Sequence, residues 1–294
     1  MKVAVVTDCN STFTQKTAKE HGVFCTDMPV IIDGENYIQD VNLTSEMFYD
    51  ALAQNKDVST SQPSPGDVME LWESIFAQGY DQLVYIPMSS GLSAACNTAK
   101  MLAQDYDGKV EVIDNHRISG TQTQSVFDAM ELAEKGYNAA KIREKLEDSA
   151  YDQSIYIAVD TLKYLKKGGR VTPAGAALGE VLGIKPILTI QGGKLDAFAK
   201  VRGIKKCESK IIEAIRKDRE TRFKDVPDDD IMLFTAGTIQ DEAECNKWNE
   251  LCQAEFPEFD IKYYPLSLSI GAHIGPGAIA MGLAVKVRYR ADKF

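Results

Sequence analysis

Hydroxyl groups gather at two points of this chain where they could meet an anion. Residues 83–101, LVYIPMSSGLSAACNTAKM, join an apolar strand (83–86) and a proline stop to a polar bend holding Ser89, Ser90, Gly91 and Ser93. A helix is expected over 94–101. A helix start behind a strand carries unpaired backbone N–H groups and a partial positive charge, which suits a carboxylate or a phosphate. Ser93 is also the expected N-cap, a purely structural use of the same hydroxyl. In the second stretch, STSQPSP at 59–65, Ser64 as N-cap, Pro65 at the first helical position and Asp67 at the third make a start signal of capping-box type. That leaves Thr60, Ser61 and Gln62 with polar groups unspent.

Serine in a strand-to-helix bend also raises a nucleophilic reading, a hydrolase or esterase using Ser90 or Ser93. SSGLSA departs from the G-x-S-x-G elbow, and spacing assigns neither a base nor an orienting acid. His273 lies in SIGAHIGPGA, 269–278, where Gly271, Gly275 and Gly277 permit close backbone approach and the imidazole is placed to hydrogen-bond or titrate. The other histidines are dispersed. The six cysteines form no C-x-x-C pair and there is no H-E-x-x-H, so reduced, buried thiols are expected rather than a metal site or a disulfide frame.

The elements that must position these groups read as two kinds of architecture. Up to about residue 153, strands at 3–7, 83–86 and 110–113 alternate with helices at 13–20, 44–53, 65–76, 121–135 and 139–149, with a hairpin near 30–41. This is the grammar of a Rossmann-like α/β/α layer fold with a parallel sheet, although no G-x-G-x-x-G supports a dinucleotide. Asp8-Cys9-Asn10-Ser11 follows the first strand at the end where open α/β sheets keep their ligand sites. Beyond it, strands at 155–159, 187–190, 195–201, 231–235, 261–264 and 279–287 mix with helices, including one capped by Asp160 and a basic one at 204–219. Gly192-Gly193 reads as a two-residue hairpin turn, and the whole as an α+β domain. The expected domains are residues 1–153 and 154–294, with the ligand between them.

At 294 residues, 44% hydrophobic and 26% charged, the chain can bury sizeable cores, and no apolar run approaches the ~20 residues of a membrane span. Without a signal sequence the expected compartment is the cytoplasm. The net charge of −10 argues against general nucleic-acid binding, but residues 163–224 hold 16 basic and 6 acidic side chains. That stretch could face an anionic partner or lie on solvated helix faces.

Five motifs in order, TSQPSP (60–65), SSGLS (89–93), DTLKYLKKGGRV (160–171), IKPILTI (184–190) and IGAHIGPGA (270–278), resemble the DegV family of bacterial fatty-acid-binding proteins, which includes the acyl-carrying subunit of fatty acid kinase. The resemblance implies one long-chain fatty acid held between the two domains, with no other cofactor. It also implies an ATP-dependent kinase partner, transient membrane contact and a place in phospholipid metabolism. Carried over residue by residue, Thr60 or Ser61 matches the loop hydroxyl on the carboxylate and Ser93 the serine at the helix start. Arg170 and His273 match members of the polar network near the acid. Two hydroxyls, a helix start and a cation are what a buried carboxylate needs to stay ionised. The chain departs from the family at Ala94, at Asn115 and in VRGIKK beside Arg202, where the common pattern has a further arginine. The last departure bears on kinase docking more than on the lipid. The expected function is therefore a non-enzymatic carrier presenting an acyl carboxylate for phosphorylation. A hydrolase is the rival, and a sensor whose lipid is only a signal is a third possibility.

Overall fold

The structure, a computed structural model, describes residues 1–179 and 183–288. In chain order, β1 (Val3–Asp8), α1 (Gln15–Glu20) and β2 (Phe24–Thr26) lead into a small excursion. It contains β3 (Val30–Ile32), β4 (Glu35–Tyr37), α2 (Ser45–Ala53) and β5 (Val58–Thr60). Then come α3 (Pro65–Ala77), β6 (Gln82–Ile86), α4 (Ala95–Leu102), β7 (Val110–Val112), α5 (Gly120–Glu134) and α6 (Ala139–Asp148). The second half runs β8 (Gln153–Ala158), α7 (Lys163–Gly168), α8 (Pro173–Ala176), β9 (Ile184–Ile190), β10 (Asp196–Arg202) and α9 (Ile204–Thr221). It closes with β11 (Ile231–Gly237), α10 (Glu242–Glu255), β12 (Lys262–Pro265), α11 (Leu268–Ile274) and β13 (Ile279–Val285).

Three sheets result. The first, in order β2-β1-β6-β7, is parallel throughout, and its strands are short apolar runs buried on both faces by helices. The second, β10-β9-β8-β13-β11-β12, is antiparallel except for the β11–β12 pair. This is the two-domain arrangement of a parallel α/β layer with a separate mixed sheet. A third sheet, β4-β3-β5, is antiparallel and small. A sheet this small needs a hydrophobic face to pack against. This one closes its core with Phe48 and Leu52 of α2 and, from the far end of the chain, Leu268 and Ala272 of α11.

Several local expectations shift for identifiable reasons. The helix at 13–20 begins later, because Thr14 caps it reciprocally with Thr17. Ser64 caps α3 by accepting the Asp67 backbone N–H at 3.1 Å. Ser93 is not the cap of α4; that position is Ala94, already helical, while Ser93 Oγ accepts the Ala95 N–H at 3.2 Å. Asp160 does not cap α7 either. It pairs with Lys185, and the Thr161 hydroxyl takes the Lys163 N–H at 3.0 Å. The residues at 37–41 add little strand, β4 ending at Tyr37.

The Gly192-Gly193 link is longer than a two-residue turn, spanning residues 191–195 between β9 and β10. Its glycines serve contact instead. A Cβ on Gly91 would lie 2.7 Å from Gly193 Cα, and the buried Ser89 hydroxyl donates to the Gly192 carbonyl. Serine turn and hairpin tip therefore meet backbone to backbone across the domain seam.

Candidate functional site

An apolar cavity of about 310 Å³ lies where the three sheets meet. β8 supplies Ile155 and Ile157, β11 supplies Phe234 and Ala236, and α11 supplies Ile270 and Ile274. Leu92, Ile118, Leu165, Ile190, Leu195 and Leu266 complete an aliphatic wall. Alternation along β8 and β11 explains this placement, since every second residue of each strand faces the same side.

All five residues singled out from the sequence, Thr60, Ser61, Ser93, Arg170 and His273, line this one cavity. Each arrives from a different element. Thr60 ends β5, Ser61 opens the loop to α3, and Ser93 stands in the bend before α4. Arg170 follows α7, and His273 projects from α11, so the stretch read as glycine-rich is a short helix around the imidazole. Its positive-φ glycines, Gly275 and Gly277, come after the helix and let Tyr164 and Asp160 pack against bare backbone.

Two of the polar groups are bonded to each other, and a third is held by backbone. Thr60 Oγ1 and His273 Nε2 are 2.8 Å apart. Arg170 donates Nε–H to the Leu92 carbonyl at 3.1 Å and an Nη1 hydrogen to the Gly168 carbonyl, which ties the second domain to the serine bend of the first. Among the described residues no carboxylate lies within ion-pair distance of Arg170. Its charge is therefore open to an anion in the cavity. Burial, and then the Arg170 charge, lower the His273 pKa to about 4, so the imidazole is neutral near pH 7. Thr98 Oγ1 donates to Gln62 Oε1 at 3.1 Å, and both residues line the cavity.

Beyond these, the wall carries Asn10, Ser119 and Ser269. Asn10 belongs to the polar stretch after β1 that the sequence flagged by position. Ser119 and Thr98 carried no sequence signal, because nothing local distinguishes them from other helix-start or helix-face hydroxyls. Ser90 lies outside the cavity lining. Its N–H donates to Asp114 Oδ1 at 3.2 Å, an acid that is also 3.5 Å from His116 Nδ1. The acid thus stands between serine and histidine, the reverse of the order a serine nucleophile uses. His273, the imidazole in the cavity, is bonded to Thr60 rather than to a serine.

A two-domain α/β protein with an apolar cavity at the seam, lined in part by hydroxyls, an imidazole and a guanidinium without a carboxylate partner among the described residues, is the class that this fold and site define. The model of the DegV family of uncharacterised proteins matches residues 2–286, and the chain belongs to that family. A DegV domain-containing protein of Streptococcus pneumoniae is 32% identical over 292 residues, 96% of this chain and 98% of the relative. Among solved structures, a fatty-acid-binding DegV family protein from Thermus thermophilus superposes with a TM-score of 0.85 at 27% identity, covering 97% of this chain and all of that one (100%). DegV from Bacillus subtilis, described as a fatty acid binding protein, gives 0.83 at 28% identity, covering 97% and 100%.

Proposed function

We propose that this protein holds a single long-chain fatty acid in the cavity and presents its carboxylate to a partner ATP-dependent kinase for conversion to acyl phosphate. In this reading residues 1–153 and 154–294 are the two domains that close on the ligand. The observation that carries it is that Thr60, Ser61, Ser93, Arg170 and His273 all line one cavity whose wall is mostly apolar. The fatty-acid-binding description of the Thermus and Bacillus relatives supports the same ligand class. Burying about fourteen methylenes at ~0.8 kcal/mol each contributes on the order of 10 kcal/mol, so the tail dominates retention. The head then serves to position the acid, with Arg170 keeping the carboxylate ionised and the hydroxyls aiming one oxygen at the incoming phosphorus.

The chain acts as a carrier without turnover of its own, in the cytoplasm, with transient membrane contact for loading. The basic stretch around Arg202 is the candidate kinase-docking surface. A hydrolase reading draws no support from the contacts of Ser90 and Ser93 described above.

Mass spectrometry of the protein purified from cells, intact and after organic extraction, tests the ligand. A stoichiometric fatty acid is expected, and an empty protein that also refuses added fatty acids overturns the reading. Ser93→Ala is expected to retain its lipid and to be phosphorylated at least tenfold more slowly by the cognate kinase. Loss of all lipid from that variant would show the head group to be an anchor instead.

A further inference from the structure

The head does not use up the polar atoms of the cavity wall. Ser269 stands four residues before His273 on α11, so both side chains leave the same helix face about one turn (~5.4 Å) apart. The Ser269 hydroxyl donates to Asn10 Oδ1 at 2.5 Å, and Ser267 donates to the same oxygen at 2.7 Å. With that oxygen doubly occupied, the Asn10 amide is fixed in orientation, its hydrogens going to Met88 Sδ at 3.8 Å and to the Asp8 carboxylate. Asn10 is 1% exposed, so bulk water does not serve it.

Ser119 adjoins this group. Its N–H donates to the Asn10 carbonyl at 2.8 Å and its carbonyl accepts the Thr123 N–H at 2.9 Å. Those bonds hold it at φ 56°, ψ −141°, a conformation that a residue with a Cβ enters only when its surroundings impose it. The side chain is 5% exposed, and its hydroxyl, on the cavity wall, has no hydrogen-bond partner among the described residues. A saturated aliphatic chain would pass this hydroxyl without satisfying it, which is costly for a buried group.

We propose that Asn10, Ser119 and Ser269 form a second recognition point for a hydroxyl group carried on the acyl chain of the bound fatty acid. The proposal rests on the fatty-acid reading of the cavity and names a substrate class within it. A hydroxyl supplies what the orphaned Ser119 hydroxyl lacks, an acceptor for its proton or a donor to its oxygen, beside the fixed polar pair of Asn10 and Ser269. A carbon–carbon double bond supplies neither partner.

The test compares stearic acid with a series of monohydroxystearic acids, the hydroxyl stepped along the chain, by calorimetric titration of the delipidated protein. One position, or two adjacent ones, is expected to bind about tenfold tighter than stearic acid, and isomers with the hydroxyl against the aliphatic wall to bind more weakly. In Ser119→Ala the ratio between the preferred isomer and stearic acid is expected to fall toward one. Ser269→Ala, which leaves Asn10 Oδ1 served by Ser267, is expected to lower the same ratio. If wild type binds stearic acid as tightly as every isomer, water satisfies the wall and the proposal is overturned while the fatty-acid reading stands. If neither stearic acid nor any isomer binds, both are overturned.

Discussion

His273 shares its Nε2 with the Thr60 hydroxyl at 2.8 Å, and the direction of that bond decides what Thr60 can offer a ligand. His273 Nδ1 is buried without a partner among the described residues. A buried N–H lacking an acceptor costs more than a bare ring lone pair, so the hydrogen-bond network assigns the proton to Nε2. The imidazole then donates to Thr60 Oγ1 and frees the hydroxyl proton for a carboxylate. Titration follows from the same contacts. The folded pKa of about 4 is depressed from an ordinary value of 6.5. Above 6.5 His273 is neutral folded or unfolded and has no pH-linked effect. As pH falls from 6.5 toward 4 the unfolded chain takes up a proton that the folded one refuses, and stability drops. Denaturant titrations of the ligand-free protein should show this loss, and His273→Gln should remove its own share of the slope. A bound carboxylate favours the imidazolium, so histidine NMR should show the His273 midpoint move upward on loading. An unmoved midpoint would place the carboxylate elsewhere.

At the scale of elements, α7 and α11 are set by one glycine. A Cβ on Gly168 would collide with His273 Nδ1, a ring held from the other side by Thr60. Alanine in a helix ordinarily gains up to ~1 kcal/mol over glycine. Here Gly168→Ala is expected to cost ~1–3 kcal/mol instead through overpacking, and to weaken fatty-acid affinity by displacing the imidazole. Thermal melts and ligand titration check the two effects, and a stabilised variant would show that the ring has room to move. This pairing illustrates what a sequence reveals. Each partner was visible separately, Gly168 in a basic turn and His273 among glycines. Their contact was not, because it depends on how α7 packs against α11. Strands such as β1 and β6 were legible because a doubly buried strand is a compact apolar run, and Ser64 because its cap is local. Thr60, Ser61, Ser93, Arg170 and His273 were singled out through motif order, and the structure brings them to one cavity. Asp160 as a cap failed because its carboxylate has a tertiary partner in Lys185, whereas Ser93 missed the cap position only because Ala94 is already helical, the serine Oγ still accepting the first N–H of α4. Asn10 was reachable from its place after β1. Ser119 was not, because its significance is a backbone conformation imposed by long-range hydrogen bonds.

For the whole molecule, α5 is the element both domains share. It packs on β1 and β6 of the parallel sheet and on β11 and β13 of the mixed one. Its buried polar residues tie it to the parallel sheet: Gln122 donates to Asp8 Oδ1 at 3.2 Å and to the Ile86 carbonyl at 3.0 Å. Asp8 also accepts the Met88 N–H at 2.8 Å, yet burial outweighs these bonds and pushes its pKa up to about 6. Where α5 begins, Gly120 faces Phe234 of β11, and a Cβ there would lie 2.5 Å from the ring. The other edge of that ring is against Gly282 of β13, the residue paired with Phe234 in the sheet. Phe234 is also a wall of the cavity. Adding one methyl in Gly120→Ala therefore has a consequence at a distance. The ring, blocked by β13, is driven toward the cavity and shortens the space for a tail. The expected result is a loss of ~1–3 kcal/mol in stability, together with a shift in preference toward shorter acyl chains, read by titrating a series of saturated fatty acids of increasing length. Each methylene excluded from burial removes ~0.8 kcal/mol, about a fourfold loss of affinity, so a displacement that excludes two methylenes separates the longest acids from the shorter ones by more than tenfold. An unchanged length profile in a folded variant would mean that β11 and β13 yield before the ring does, and that the seam between the domains, not the cavity, absorbs the strain.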